Sequence, residues 1–369
     1  MNSFVYVCCQ VGAEKALKQN LAAHHPMLTF AFSRPGFVTF KVDGELDLTQ
    51  PLLSPFARTF GTSVGSIKHT EESSHEENLQ RVLEMLPQQK FQHLHVWSRD
   101  SHVPGDRGYE PVHREESLEL GKQLKAASAA NSDDRLEKAP INRTARSGDA
   151  VADLIVVDPN HWFVGWHPAQ AIASRWPGGV PPIRPKSDMI SRAYLKMLEA
   201  LRWSQLPISP GDVCVELGSS PGGSCLALLE QEANVIGVDP ALMDERVLAH
   251  PNFTHFRARA ADLKRKEFAV AKWLFADAII TPKHTLEAIE NIVTNRHVNV
   301  EAMLVTLKLL NWELAHDIDG YLDRVRSWGF RHVSVRQLAF NRREVVVFAG
   351  KSKGAIRFAK RKQKSVGNL

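Results

Sequence analysis

Cysteine is scarce in this chain of 369 residues: there are four, Cys8, Cys9, Cys214 and Cys225, with no Cys-x-x-Cys pair and no histidine cluster at metal-ligand spacing. That scarcity argues against a disulfide scaffold and gives no indication of metal chemistry. All four lie in apolar or helical surroundings and are expected to be small buried side chains in a reducing cytosol. Long apolar runs are also missing. Nothing approaches the ~18 residues a membrane span needs, and the opening MNSFVYVCCQVGAEK has neither a basic leader nor a long apolar stretch. A cytoplasmic protein without membrane attachment is expected. Acidic residues, finally, are absent from residues 351–369, which carry +7, whereas residues 1–180 carry −3 and residues 181–350 carry +1. The net charge of +5 is thus a property of a basic tail suited to phosphate contacts.

Hydrophobic residues make up 43% and charged residues 24%, ordinary globular values, and the length suits two or three domains. Phe4–Cys9, Ala13–His24, Leu28–Phe32 and Phe37–Val42 read as strand, helix, strand, strand, with Arg34-Pro35-Gly36 as the turn. A helix opening in the acidic patch Glu71–Glu77 and a strand at Phe91–Trp97 follow. Residues 98–149 are polar and turn-rich, with one helix at Glu116–Ala130, and are expected to be mobile in large part. A hairpin, Ala152–Val157 with Trp162–Trp166, precedes the proline-glycine run Pro177–Pro182. The expected organisation is an α+β region over 1–176, a linker over 177–186, an α/β domain over 187–350 and the tail.

Within 187–350, apolar strands at Asp212–Leu217, Asn234–Val238, Trp273–Ile280, Met303–Leu309 and Val345–Ala349 alternate with helices near 188–202, 223–232, 284–294 and 315–328. Continuously apolar strands separated by helices predict a doubly wound parallel sheet, a Rossmann-like fold. After the first of these strands comes the small-residue loop Gly218, Ser219, Ser220, Pro221, Gly222, Gly223, which brings a ligand close to backbone and to a helix start. Ser220 stands where a dinucleotide fingerprint needs its second glycine. Asp239 ends the second strand, 23 residues after Glu216, where a carboxylate can accept from both hydroxyls of a ribose. Asp262 follows a third apolar run, Phe256–Ala261, and reads equally as an adenine contact or a helix N-cap. Lys308, Asp277 and Glu344 each interrupt or border an apolar strand, which is costly for an ionisable group without partners.

Ser191-Arg192-Ala193-Tyr194-Leu195-Lys196, the loop from Glu216 to Gly223, Asp277, Lys308 and Arg343-Glu344-Val345 occur in the order and context of the FtsJ-type RNA ribose 2′-O-methyltransferases. The chain resembles that family over about residues 185–350. The resemblance implies a class I fold using S-adenosylmethionine, with Lys196, Asp277, Lys308 and Glu344 as a catalytic tetrad. It also implies a cofactor site made of residues 218–223, Asp239, Asp262 and Asp277. The preceding half is similar, more weakly, to the ferredoxin-like and THUMP-like pieces of RlmM-like methyltransferases, which act on a cytidine ribose of large-subunit ribosomal RNA. Ser219-Ser220 departs from the Ala-Cys common in that subfamily.

On that resemblance Lys308 is the expected general base, its pKa lowered by burial and by Lys196, with Asp277 and Glu344 opposing the shift. RNA would be held by the tail and by a local patch of Lys15, Lys18, Arg34 and Lys41. Three other readings stay open: a methyltransferase acting on a small molecule or a protein, which leaves both lysines without a purpose, one acting on another RNA, and a non-catalytic RNA-binding assembly factor.

Overall fold

A computed structural model of the chain describes residues 3–352, so the tail at 353–369 lies outside the described residues. The contacts divide the chain into two units, residues 1–184 and 185–369.

The first unit opens with β1 (Ser3–Cys8), α1 (Glu14–His24), β2 (Leu28–Arg34), β3 (Phe37–Val42) and β4 (Thr59–Lys68). No helix separates β3 from β4, so a ferredoxin-like β-α-β-β-α-β unit would lack its second helix. There follow α2 (His75–Met85), β5 (His93–Ser98), α3 (Glu115–Ala130), β6 (Ala150–Asp158) and β7 (His161–Pro168). All seven strands form one sheet in the order β2-β3-β1-β4-β7-β6-β5. Ser74 and Glu77 close a capping box at the start of α2, which explains where the acidic patch becomes helix. Leu79, Val82 and Leu83 of α2 and Leu120 and Leu124 of α3 pack with Leu94, Val96 and Val164 of the sheet into the main core.

Two expectations about this unit need correction. Residues 98–149 are built into the fold. Leu120, Leu124 and Leu136 are buried, and the Asn142 side chain donates to Val96 O (2.8 Å) and accepts from Val96 N (2.7 Å). Leu94 N donates to Pro140 O, so this polar segment satisfies the edge of β5. Pro177–Val180 is likewise no free linker. These residues are buried, Arg58 Nε donates to Gly178 O at 3.0 Å, and a Cβ on Gly179 would stand 2.7 Å from Arg58 O. The glycines serve close approach and positive φ there, not flexibility. The division between units falls at Arg184/Pro185.

The second unit contains α4 (Ala193–Ser204), β8 (Val213–Leu217), α5 (Gly223–Leu229), β9 (Asn234–Val238), α6 (Glu245–Leu248), β10 (Phe253–Phe256), β11 (Trp273–Ala276), α7 (Pro282–Val293), β12 (Ala302–Lys308), α8 (Ile318–Ser327), β13 (His332–Arg336) and β14 (Glu344–Gly350). Its sheet runs β10-β9-β8-β11-β12-β14-β13, doubly wound, with β10 through β12 parallel. The expected wholly parallel sheet is corrected at one edge: β14 is antiparallel to both β12 and β13. A buried antiparallel strand is as continuously apolar as a parallel one, so composition does not tell them apart. β11 ends at Ala276 instead of Ile280, and β10 at Phe256, the first residue of the run Phe256–Ala261 with which the third strand was expected to end. No helix among the described residues is long and apolar enough to cross a membrane.

Candidate active site

Four strand and helix ends bring four charges together. Lys308 is the last residue of β12 and Glu344 the first of β14, and the two are direct register partners. Asp277 is the first residue past β11, which neighbours β12. Lys196 comes from the second turn of α4. The result is a closed ring in which each ammonium touches both carboxylates. Lys308 Nζ lies 2.6 Å from Asp277 Oδ1 and also pairs with Glu344 Oε2. Lys196 Nζ lies 3.2 Å from Glu344 Oε1 and pairs with Asp277 Oδ2. The side chains are only 6–14% exposed. Two positive and two negative groups cancel, which is what makes burying all four tolerable.

The balance of burial and charge settles the direction of the lysine shift. Burial pulls the Lys308 ammonium down, but Asp277 and Glu344 outweigh it and hold its pKa above the ordinary lysine value. This corrects the expectation of a lowered pKa: Lys308 touches two carboxylates, and Lys196 is tied to the same pair. Burial pushes Glu344 up, but Lys196 and Lys308 prevail and draw it down to about 2.

The ring opens on a pocket of about 690 Å³ at the carboxyl ends of the parallel strands. Gly218, Ser220, Asp239, Asp277, Lys196 and Lys308 all line it. Gly218 has φ +78°, and a Cβ there would meet the Ala278 backbone at 3.0 Å. Asp239 ends its approach beside the loop, accepting from Ser220 N (3.2 Å) and Ala241 N (2.8 Å). Other expected contacts are placed behind the wall. Ser219 is buried against Met243, Pro221 follows a cis peptide bond and accepts from Asp244 N, and Gly222 (φ +115°) faces Val247. Gly223 opens α5 so tightly against Ser191 that a Cβ would lie 2.3 Å from its hydroxyl. Asp262 is exposed at the end of a short 3₁₀ turn, and Ala258–Ala261, not its side chain, form the wall.

Sequence reasoning assigned no role in the site to three residues that shape it. Glu199, fully buried one turn beyond Lys196, accepts from Ala339 N (2.8 Å) and Phe340 N (2.9 Å). It thereby fixes the loop that delivers Glu344, whose Oε1 accepts from Asn341 Nδ2 at 3.0 Å. The signal was a glutamate three positions from Lys196 in α4. Glu216 accepts from Ser224 Oγ and from Cys225 Sγ (3.0 Å), and burial pushes its pKa up to about 7. Ser191 lines the pocket with a buried hydroxyl oxygen that has no hydrogen-bond partner. An orphaned hydroxyl, a glycine that admits no side chain and a carboxylate at a strand end suit a ligand with a ribose and a polar amino-acid portion.

Residues 189–318 match the FtsJ-like methyltransferase family. That span carries α4 with Lys196, the glycine loop, Asp239, Asp277 and Lys308, while Glu344 falls beyond it. The chain is also 31% identical over 207 residues to "Ribosomal RNA large subunit methyltransferase M" of Halorhodospira halophila, an alignment covering 53% of this chain and 56% of that one. Proteins of the same name from Saccharophagus degradans (32% over 155 residues, 40% and 43% covered) and Ectopseudomonas mendocina (29% over 182 residues, 46% and 50% covered) are similar too. The alignments therefore span about half the length of these relatives.

Proposed function

We propose that this protein transfers a methyl group from S-adenosylmethionine to a ribose 2′-oxygen in ribosomal RNA, with a cytidine of the large subunit as the target. The observation that carries the reading is the buried Lys196-Asp277-Lys308-Glu344 ring facing the ligand pocket. The matches to the FtsJ-like family and to the large-subunit methyltransferases support it. The bound cofactor would supply an electrophilic methyl on a sulfonium. Asp239 would hold its ribose hydroxyls, the Gly218 backbone would lie against it, and Ser191 Oγ and Asp277 would meet its amino-acid end.

The chain's own work is then to orient the 2′-hydroxyl and take its proton. Lys308 Nζ, held between two carboxylates at the pocket edge, would take that proton. Its raised pKa makes it an ammonium in the free protein, so it accepts only after losing a proton, and the rate should rise with pH. Asp277 and Glu344 keep the amine fixed, and Lys196 balances their charge. In the first unit the expected patch of Lys15, Lys18, Arg34 and Lys41 is partly neutralised, because Arg34 pairs with Asp158 (3.2 Å) and Lys41 with Asp43 (2.9 Å). A larger share of RNA binding then falls to the basic tail.

The test is methyl incorporation from labelled S-adenosylmethionine into unmodified large-subunit RNA, with ribose methylation mapped by resistance to alkaline cleavage. One protected ribose is expected. Lys308→Ala should lower the rate by about 10² to 10⁴ with cofactor affinity nearly unchanged. Label appearing only in protein or in small molecules would overturn the proposal.

A further inference from the structure

Among the described residues of the second unit, the large hydrophobic side chains left exposed are Leu242, Leu248, Val270, Ile279, Ile280 and Leu310. Three of these six follow a member of the ring by two or three positions: Ile279 and Ile280 after Asp277, and Leu310 after Lys308. Ile279 is 87% exposed and lines the pocket, and Leu310 is 52% exposed. Leaving an isoleucine in water forgoes about 1.5–3 kcal/mol of burial, so such side chains beside a reactive site call for an apolar occupant.

The backbone around them is tied down. Leu310 N donates to Lys308 O (3.1 Å) and Leu309 N to Arg343 O (2.9 Å). Arg343 Nη1 in turn donates to Leu310 O (3.0 Å), cross-linking the turn after Lys308 to the residue before Glu344. Arg342 and Arg343 are both exposed. The ring is neutral and does not itself attract phosphate, whereas this arginine pair next to it does.

We infer that Ile279 and Leu310 form a ledge for the base of the acceptor nucleotide, turned out of its stack, while Arg343 meets a phosphate flanking it. The inference rests on the ribose-methylation reading and deepens it: the substrate segment must be single-stranded or able to open there. A 2′-hydroxyl can reach a buried amine only if its own nucleotide leaves the helix, and an unstacked base needs a new apolar surface. Ile279 and Leu310 are positioning residues, and neither handles the proton.

The test uses the full chain carrying Ile279→Asn, Leu310→Ser or Arg343→Gln, all at exposed positions. Affinity for S-adenosylhomocysteine is measured by calorimetry and kcat/KM with unmodified large-subunit RNA. For Ile279→Asn and Leu310→Ser, kcat/KM should fall ~10-fold or more while S-adenosylhomocysteine affinity stays within about twofold. Arg343→Gln should reduce the salt dependence of RNA binding by about one phosphate contact. A parallel loss of S-adenosylhomocysteine affinity would assign the ledge to the cofactor. A change in oligomeric state would assign it to a second copy, and unchanged kcat/KM to nothing in the reaction. Each of these overturns the inference while leaving ribose methylation standing. A wild type that binds S-adenosylhomocysteine yet methylates no RNA would defeat both.

Discussion

Glu344→Gln separates the two things Lys308 could do. In the native ring Lys308 is held positive by Asp277 and Glu344 against the pull of burial. The substitution removes one carboxylate in direct contact and leaves Lys196 and Lys308 sharing Asp277 alone. A unit charge at about 4 Å is worth ~4 kcal/mol at an effective dielectric constant of 20. At 1.36 kcal/mol per tenfold change, that lowers the Lys308 pKa by about three. That one lost charge takes the site from neutral to +1. If a neutral Lys308 takes the 2′-hydroxyl proton, the single-turnover rate of the native protein should climb tenfold per pH unit on the acid side of the Lys308 pKa. In the variant the same limb should appear about two to three pH units lower. The native midpoint, held above the ordinary lysine value, lies beyond the top of the assay range, so the readout is curvature: the native limb should stay straight to pH 10 while that of the variant begins to level off. The assay is single-turnover methyl transfer with saturating RNA from pH 6 to 10, with thermal melts showing that the variant is folded at each pH. A native rate that is flat across that range, or a variant limb as straight as the native one, would refute the reasoning. Lys308 would then act as a fixed ammonium that orients the hydroxyl.

Further predictions concern the supports of the site. Glu199→Ala leaves the N–H groups of Ala339 and Phe340 without their acceptor and should cost about 2–6 kcal/mol in denaturant unfolding of the second unit. Glu199→Gln, which keeps one acceptor, should lie between that variant and the native protein, and equal stability of all three would rule the contact out. Glu216 has a folded pKa of about 7, above its unfolded value, so the folded state binds the extra proton. Its contribution is complete below about pH 4.5 and is lost as pH rises through 7, a swing of ~3 kcal/mol. Glu216→Gln should flatten that part of the stability profile, and parallel pH curves for the two proteins would contradict it. Gly218→Ala forces a Cβ to 3.0 Å from the Ala278 backbone at a positive φ and should abolish S-adenosylhomocysteine binding, measured by calorimetry, with the fold retained.

What could be read from the chain beforehand depended on whether the relevant partner was near in sequence. β8 and β9 emerged almost to the residue, because a short apolar run bounded by turns carries its own ends. β13, His332–Arg336, was missed, since a polar edge strand has no such run. β11 was drawn four residues too long, and the error is informative: Ile279 and Ile280 continue the apolar pattern of Trp273–Ala276 but stand in solvent. They looked like core only because composition does not distinguish a side chain facing the core from one facing an open pocket. Residues 98–149 looked loose for the opposite reason. Asn142 is polar, yet its amide completes the hydrogen bonds of Val96, a role invisible until the two segments lie side by side.

The ring illustrates the same division within one site. Its four members are separated by tens of residues, Lys196 from Asp277 by 81 and Lys308 from Glu344 by 36, so no spacing rule links them. Their identities were legible because each is an ionisable group at an apolar boundary and because the set resembles a known family. The protonation of Lys308 was not, because burial and the two carboxylates act in opposite directions and their sum depends on distances alone. With Nζ touching Asp277 and Glu344 together, attraction wins, and a lysine that sequence suggested as a ready base rests as a cation. If this protein uses Lys308 as the base, deprotonation of that cation is part of the barrier. The pH dependence of the rate, more than any loss on mutation, is therefore the property that decides its role.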